Sequence, residues 1–218
     1  MPPHDYSVTR KAFYSGGRKV SRQAVRREIN ALIDHVGSDA TRLGRLVRDG
    51  RISPIEFELA MRDLLRSAHI VAASVGKGGR ARMLARDWGR VGAKIKWQYG
   101  YLQRFARKIA RGGISDTALA SRARSYASSI FVSFSNTFQD AQTEFVEGGK
   151  NPVLARLVQN SQEGCEECTA DAAEGWMSVD DMGEIGSRIC GDFCRCDIEF
   201  SEDELAGLDI KVKVIVNE

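Results

Sequence analysis

The chain lacks several features that mark large classes of proteins. It has 218 residues with only 3 His and 4 Pro, and no apolar run approaches the ~20 residues that cross a bilayer. Its first residues include no apolar segment of a secretory signal. The G-x-S-x-G, P-loop and H-E-x-x-H motifs are also missing. We therefore expect a protein that is made in the cytoplasm, binds no membrane and is not an enzyme.

Cysteine is missing from most of the chain, because all five lie between Cys165 and Cys196. Their pattern is C-x2-C, then 21 residues, then C-x3-C-x-C. A Cys-x2-Cys segment brings two sulfurs close enough to share a tetrahedral ion. Stable disulfides are uncommon in the cytoplasm, and the segment holds few large aliphatic residues that would build a core. A structural zinc ion, whose binding is coupled to folding, is therefore favoured over free thiols or disulfides.

The candidate ligands divide into two sets. Cys165 and Cys168 are the better-supported pair, and two of the three later cysteines complete the site. We expect Cys190 and Cys194, with Cys196 as the alternative fourth ligand. A redox C-x2-C is disfavoured because it would normally lie at a helix N-terminus after a strand of a parallel sheet, and the sequence shows no such pattern around it. We predict no catalytic and no cofactor-binding residues, since His4, His35 and His69 adjoin no cysteine in sequence.

Charge is distributed very unevenly along the chain. Residues 1–124 carry 26 Lys and Arg against 10 Asp and Glu, a net charge of +16, and residues 125–218 carry 6 against 19, a net charge of −13. The basic half is expected to meet nucleic acid or an acidic protein surface. The alternative is that its basic helices simply have solvated faces.

Hydrophobic periodicity predicts a mainly α fold with a small C-terminal α+β, cysteine-rich, zinc-stabilised module and a terminal β-strand. We divide the chain into a flexible N-terminal arm over 1–20, a basic helical domain over 21–150, and an acidic cysteine-rich module over 151–218.

The predicted helices follow from caps and apolar stripes. The first begins at Ser21 and ends at Gly37, and a short second one ends at Gly50. Ser53 starts the third with a capping box that includes Pro54 and Glu56. The last two form a long antiparallel hairpin over 81–110 and from Ser115 to the segment EGGK. Strands are predicted at ARLVQ, at CDIEF and in the alternating segment LDIKVKVIVNE.

The cysteine motifs resemble the C-terminal module of phage head-morphogenesis proteins, the Mu F-like minor head protein family. The residues that carry the resemblance are Cys165 and Cys168 in an acidic context, then Gly175-Trp176, then Cys194-Arg195-Cys196. The segments RDGRISPIEFELAMRDLLRSAH and WQYGYLQRFARKIARGGIS resemble the helical front of such proteins. The family commonly has a histidine shortly before C-R-C, where this chain offers Cys190.

This resemblance implies a structural minor head protein of a tailed phage. Such a protein would be found in the virion head, and in the host cytoplasm during assembly. It would associate with the portal or the major capsid protein in a symmetric assembly of several copies, and with DNA through its basic half during packaging. The alternative is a zinc-containing nucleic-acid-binding protein that acts outside the particle. A toxin-like transferase is the least favoured, because the chain offers no acid/base pair.

Overall fold

A computed structural model describes residues 4–147, 151–159 and 165–202, and its chain is mainly helical with a few short strands, which confirms the predicted fold class. Among the described residues, no helix is both long and apolar enough to cross a membrane. The helices are α1 Arg22–Arg48, α2 Pro54–Lys77, α3 Ala85–Ala110, α4 Asp116–Ser128, α5 Ile130–Thr143 and α6 Glu166–Glu174. The strands are β1 Asp5–Ser7, β2 Ala12–Ser15, β3 Arg18–Val20, β4 Leu154–Val158, β5 Met177–Ser178 and β6 Asp197–Ser201.

The prediction of a flexible arm over 1–20 is wrong, because β1, β2 and β3 form an antiparallel sheet that packs on the helices. Gly16 and Gly17 both have positive φ and make the turn between β2 and β3, as two-residue hairpin turns require. Tyr6 and Phe13 are buried, and the Phe13 ring stacks 5.0 Å from the Phe138 ring of α5. Burial of these aromatic side chains holds the segment in place.

Helix α1 is continuous from Arg22 to Arg48, so the predicted end at Gly37 is also wrong. A Cβ atom at Gly37 would lie 3.4 Å from the Cγ atom of Arg124 and 3.8 Å from the Cβ atom of Ala127. These are ordinary van der Waals distances, so α4 packs directly against α1 at this position. Packing between the two helices compensates for the low helix propensity of glycine, which costs about 1 kcal/mol relative to alanine.

The predicted starts of three helices agree with the structure. The hydroxyl of Ser53 accepts a hydrogen bond from the Glu56 N–H, the Glu56 carboxylate accepts one from the Ser53 N–H, and Pro54 opens α2. Ser21 and Ser115 likewise cap α1 and α4. Each of these signals lies within four residues of the cap, so sequence alone reveals it.

The predicted last helix is divided in two at Ser129. The Ser129 hydroxyl donates to the Tyr126 carbonyl at 2.8 Å and also accepts a hydrogen bond from the Gln98 amide of α3. Serine side chains that bond to the preceding turn bend helices. The break therefore depends on a contact with a distant helix, and the local pattern did not indicate it.

Helix α2 lies at the centre of the helical body and packs mainly against α5 and α3, and α1 packs mainly against α4. Consecutive helices α3 and α4 meet where the rings of Phe105 and Tyr126 lie 5.7 Å apart. One hydrophobic core extends from the helices into the cysteine-rich segment, where Leu157, Cys168 and Ile198 join it.

The cysteine-rich segment contains a second small sheet in the order β5-β4-β6. Strand β4 pairs antiparallel with β6 over Leu154–Val158, so the strands predicted at ARLVQ and CDIEF are confirmed. The predicted terminal strand, LDIKVKVIVNE, lies outside the described residues.

Candidate metal centre

The five cysteines converge from three places in the chain. Cys165 caps α6, and its Sγ atom accepts a hydrogen bond from the Cys168 N–H at 3.4 Å. Cys190 and Cys194 lie on either side of a single 3-10 turn. Cys196 directly precedes β6. A helix start, a tight turn and a strand start thus bring all five thiols to one place.

The sulfurs form two overlapping triads. One contains Cys165, Cys168 and Cys190, and the other contains Cys168, Cys194 and Cys196; within each, all Sγ atoms lie within 4.8 Å of one another. Cys168 belongs to both triads, and its Sγ atom lies 3.6 Å from that of Cys190. Among the described residues, these are the groups of three or more potential ligands that lie close enough to hold a metal ion.

Burial distinguishes two sides of the cluster. Cys168, Cys194 and Cys196 are buried, while Cys165 and Cys190 are partly exposed. The cluster therefore rests on the hydrophobic core and faces solvent on the side of Cys165 and Cys190. An ion could enter from that side and be enclosed by the buried thiols.

The thiols perturb one another strongly. Burial opposes ionisation of Cys165, but hydrogen bonds from the N–H and thiol of Cys168 and from Cys190 outweigh it and lower its pKa to about 7. Burial raises the pKa of Cys168, and burial together with a hydrogen bond to Cys194 raises that of Cys190 to about 12. Without a cation, the cluster thus favours a thiolate at Cys165 beside neutral thiols at Cys168 and Cys190. A bound cation supplies the positive charge that lets further thiols ionise.

The structure therefore brings together every predicted ligand: Cys165, Cys168, Cys190, Cys194 and the alternative Cys196. Because Cys194 and Cys196 both lie within 4.8 Å of Cys168, the choice between them stays open. The histidines, for which we predicted no catalytic role, are not part of the cysteine cluster. His69, for example, is buried between α2, α3 and α5, 2.7 Å from the Ser133 hydroxyl and 3.2 Å from the Gln98 amide oxygen.

Basic side chains of the helices hold the C-R-C segment in position. Arg26 of α1 donates to the Arg195 carbonyl at 2.8 Å and to the Asp197 carboxylate at 2.9 Å. Arg195 in turn donates to the Ser128 carbonyl of α4 at 2.9 Å. Sequence reasoning missed these contacts, because they join residues 67 to 171 positions apart and leave no local pattern.

Acidic side chains hold the loop before Cys190. The Glu167 carboxylate accepts a hydrogen bond from the Ile189 N–H at 2.7 Å, and Arg188 pairs with Asp171 of α6. Glu184 pairs with Arg90 of α3 at 2.9 Å. The loop is therefore fixed both to α6 and to the helical body.

Comparison with models of known protein families, with curated protein sequences and with solved structures gives no match for this chain. The resemblance to phage head-morphogenesis proteins thus remains a prediction that rests on the motif residues.

Proposed function

We propose that this chain is a structural minor head protein of a tailed phage that associates with the portal or the capsid and has no enzymatic activity. The observation that carries the proposal is the convergence of the Cys165-x2-Cys168 pair and the Cys194-Arg195-Cys196 tripeptide in one cluster. In the family that the motifs resemble, these same elements define the C-terminal module. A sulfur-only cluster built into a hydrophobic core supports a structural role.

We further propose that the cluster holds one zinc ion through Cys165, Cys168, Cys190 and either Cys194 or Cys196. Thiolates favour zinc and other soft ions over magnesium or calcium. Zn–S bonds of about 2.3 Å in a tetrahedron place neighbouring sulfurs about 3.8 Å apart, close to the 3.6 Å between Cys168 and Cys190. Four sulfur ligands leave no open position for substrate, as in structural zinc sites.

Two measurements test these proposals separately. Elemental analysis of the purified full chain should find about one zinc per chain, and a folded, metal-free protein with five titratable thiols would contradict the zinc site. Mass spectrometry of purified phage particles should detect the chain, and it should co-purify with the portal. Absence from both preparations would contradict the assembly role, whatever the metal content.

A zinc-containing nucleic-acid-binding protein that acts outside the particle is the second candidate, and the basic face of α3 favours it. Its exposed cations are Lys96, Arg104, Arg107 and Lys108, together with Arg111 at its C-terminal cap. Within the described part of the chain, none of these five forms an ion pair within 4.0 Å. Such a face can neutralise phosphates and release counterions.

Salt dependence decides whether this second function is real. Duplex DNA binding, followed by fluorescence anisotropy, should weaken steeply between about 50 and 200 mM salt. Charge reversal of Arg107 and Lys108 to Glu should reduce the salt slope, while Arg18→Glu on the exposed edge of the N-terminal sheet should not. No binding at about 50 mM salt would reject the alternative.

A further inference from the structure

A groove runs between α3 and the loop over 184–193 that carries Cys190. It consists of two adjoining cavities, each of about 520 Å³, that share Trp97 and Gly191 in their walls. Residues of α3, α4 and α5 form one side of the groove, and the cysteine loop forms the other. Neither the predicted zinc site nor the basic face of α3 accounts for this groove.

The walls of the groove expose four large apolar side chains. Trp97 and Tyr101 of α3 are 56% and 37% exposed, and their rings lie 4.9 Å apart. From the cysteine loop, Ile189 and Phe193 are 73% and 62% exposed. Single exposed apolar residues are ordinary, but a cluster around one depression indicates a binding surface. Aromatic side chains of this kind supply most of the energy in protein–protein interfaces.

Positive charge lies along the α3 and α4 side of the groove. Arg122 lines it, and the Arg104 guanidinium stacks 4.9 Å from the Tyr101 ring. Among the described residues, neither arginine has an acidic partner within 4.0 Å. An occupant with acidic groups on this side would supply the missing partners.

Acidic side chains of α6 adjoin the cysteine-loop side of the groove. Glu167 of α6 bonds to the backbone of Ile189, and Glu166 beside it is exposed. A nucleic acid strand, which is negative along its whole length, would be repelled there. A peptide segment can instead place acidic side chains toward Arg104 and Arg122 and apolar side chains elsewhere.

The candidate metal centre shapes one wall of the groove. Ile189 directly precedes Cys190, and Phe193 lies between Cys190 and Cys194. Fixing these two sulfurs also fixes the positions from which Ile189 and Phe193 project. A preformed apolar wall binds more tightly than a mobile one, because less conformational entropy is lost on binding.

We propose that this groove binds an amphipathic acidic segment of a partner protein, with apolar side chains seated between Trp97 and Phe193 and acidic side chains facing Arg104 and Arg122. This proposal rests on the proposed assembly function, because that function requires a protein partner. Binding in the groove is measured on the purified chain, so its failure is distinguishable from absence of the chain in particles.

The test uses a displayed library of random twelve-residue peptides, selected on the immobilised full-length protein. Enriched peptides should combine aromatic or aliphatic residues with a net negative charge. Synthetic, fluorescein-labelled copies should lose roughly tenfold or more in affinity for Trp97→Ala and for Phe193→Ala. Arg122→Glu should also lower the affinity of these peptides, and the loss should be larger at low salt than at high salt.

Ile55→Ala is the matched control, because Ile55 is also a highly exposed apolar residue but lies on α2. This variant should bind the peptides as tightly as the unmodified chain does. Thermal melting of each variant checks folding. Peptides that bind equally well to Trp97→Ala would overturn the proposal. The proposal would also be overturned if a twenty-nucleotide oligo-dT displaced the peptides and required Trp97 for binding, since the groove would then stack nucleic acid bases.

Discussion

At the scale of single residues, Cys168 has a different position from the other four cysteines. It is buried, and it is the sulfur common to both triads. Cys194 and Cys196, by contrast, belong to one triad each. In the proposed zinc site, five thiols are available for four ligand positions, so we expect one of the later cysteines to be dispensable and Cys168 not to be.

We therefore expect Cys168→Ser to lose its bound zinc and to melt at a lower temperature, because binding energy of a structural zinc is coupled to folding. Cys196→Ser should keep about one zinc per chain, since Cys165, Cys168, Cys190 and Cys194 remain, and these include the shared sulfur of Cys168. Elemental analysis and thermal melting check both variants, with Cys194→Ser as the comparison. Full zinc content in Cys168→Ser would contradict the shared position of this sulfur.

Glycine also has residue-specific roles in the helices. A Cβ atom at Gly76 of α2 would overlap the Phe134 carbonyl and the Thr137 hydroxyl of α5. A Cβ atom at Gly92 of α3 would meet no described atom within 4 Å. The first glycine therefore permits helix contact, and the second only lowers helix propensity.

Gly76→Ala should lower the free energy of unfolding by roughly 2 kcal/mol or more, because overpacking forces α2 and α5 apart. Gly92→Ala is the control and should raise it by about 0.5–1 kcal/mol through helix propensity. Urea unfolding followed by circular dichroism measures both. Equal effects of the two substitutions would show that α2 and α5 do not approach as closely as described.

At the scale of secondary-structure elements, the junction of α2 and α3 contains a buried charge. Lys77, the last residue of α2, lies with its Nζ atom 3.8 Å from the Asp87 carboxylate and 3.7 Å from that of Glu144. Asp87 also accepts a hydrogen bond from the Leu84 N–H at the start of α3. The end of α2, the start of α3 and the residue that follows α5 therefore depend on one another's charges at this junction.

Lys77→Met should destabilise the fold by about 3 kcal/mol, because it leaves Asp87 buried without its cation. The double variant with Asp87→Asn should recover part of that loss, since the uncompensated charge is removed. Urea unfolding of both is the measurement, and Lys96→Met on the exposed face of α3 is the control. A Lys77→Met variant as stable as the control would contradict this account.

The elements also show which parts of the fold a sequence reveals. The start of α2 was predictable because Ser53, Pro54 and Glu56 act on one another within a single turn. The continuity of α1 through Gly37 and the break at Ser129 were not, since each depends on a partner helix. In the site, spacing indicated the grouping of the five cysteines. It could not indicate the groove, whose walls come from segments about 90 positions apart.

At the scale of the whole molecule, part of the charge asymmetry is balanced inside the chain. Asp197 pairs with Arg22 and Arg26, Glu184 pairs with Arg90, and Glu144 pairs with Arg82. Each of these pairs joins the basic half to the acidic half. An external partner of the basic half would therefore meet fewer free cations than the composition implies.

A double-mutant cycle on Arg26→Gln and Asp197→Asn should give a coupling free energy of about 1 kcal/mol, because both side chains are largely shielded from water. The surface pair Arg42 and Asp39, three residues apart on α1, is the control and should give roughly 0.3 kcal/mol. Urea unfolding provides the four stabilities of each cycle. Coupling no larger than in the control pair would show that charge does not hold the cysteine-rich segment on α1.

The N-terminal sheet has a consequence for the order in which the molecule forms during translation. Lys11 donates to the Gln142 carbonyl at 2.7 Å, across 131 positions of sequence, and the Tyr6 ring meets the Phe138 ring at 5.4 Å. Short isolated hairpins are only marginally stable in water. Strands β1, β2 and β3 leave the ribosome before α5 and must therefore wait, with their aromatic side chains uncovered, until the end of α5 has emerged. The sheet of β1, β2 and β3 is thus among the last parts of the helical body to fold, although it is synthesised before the helices on which it packs.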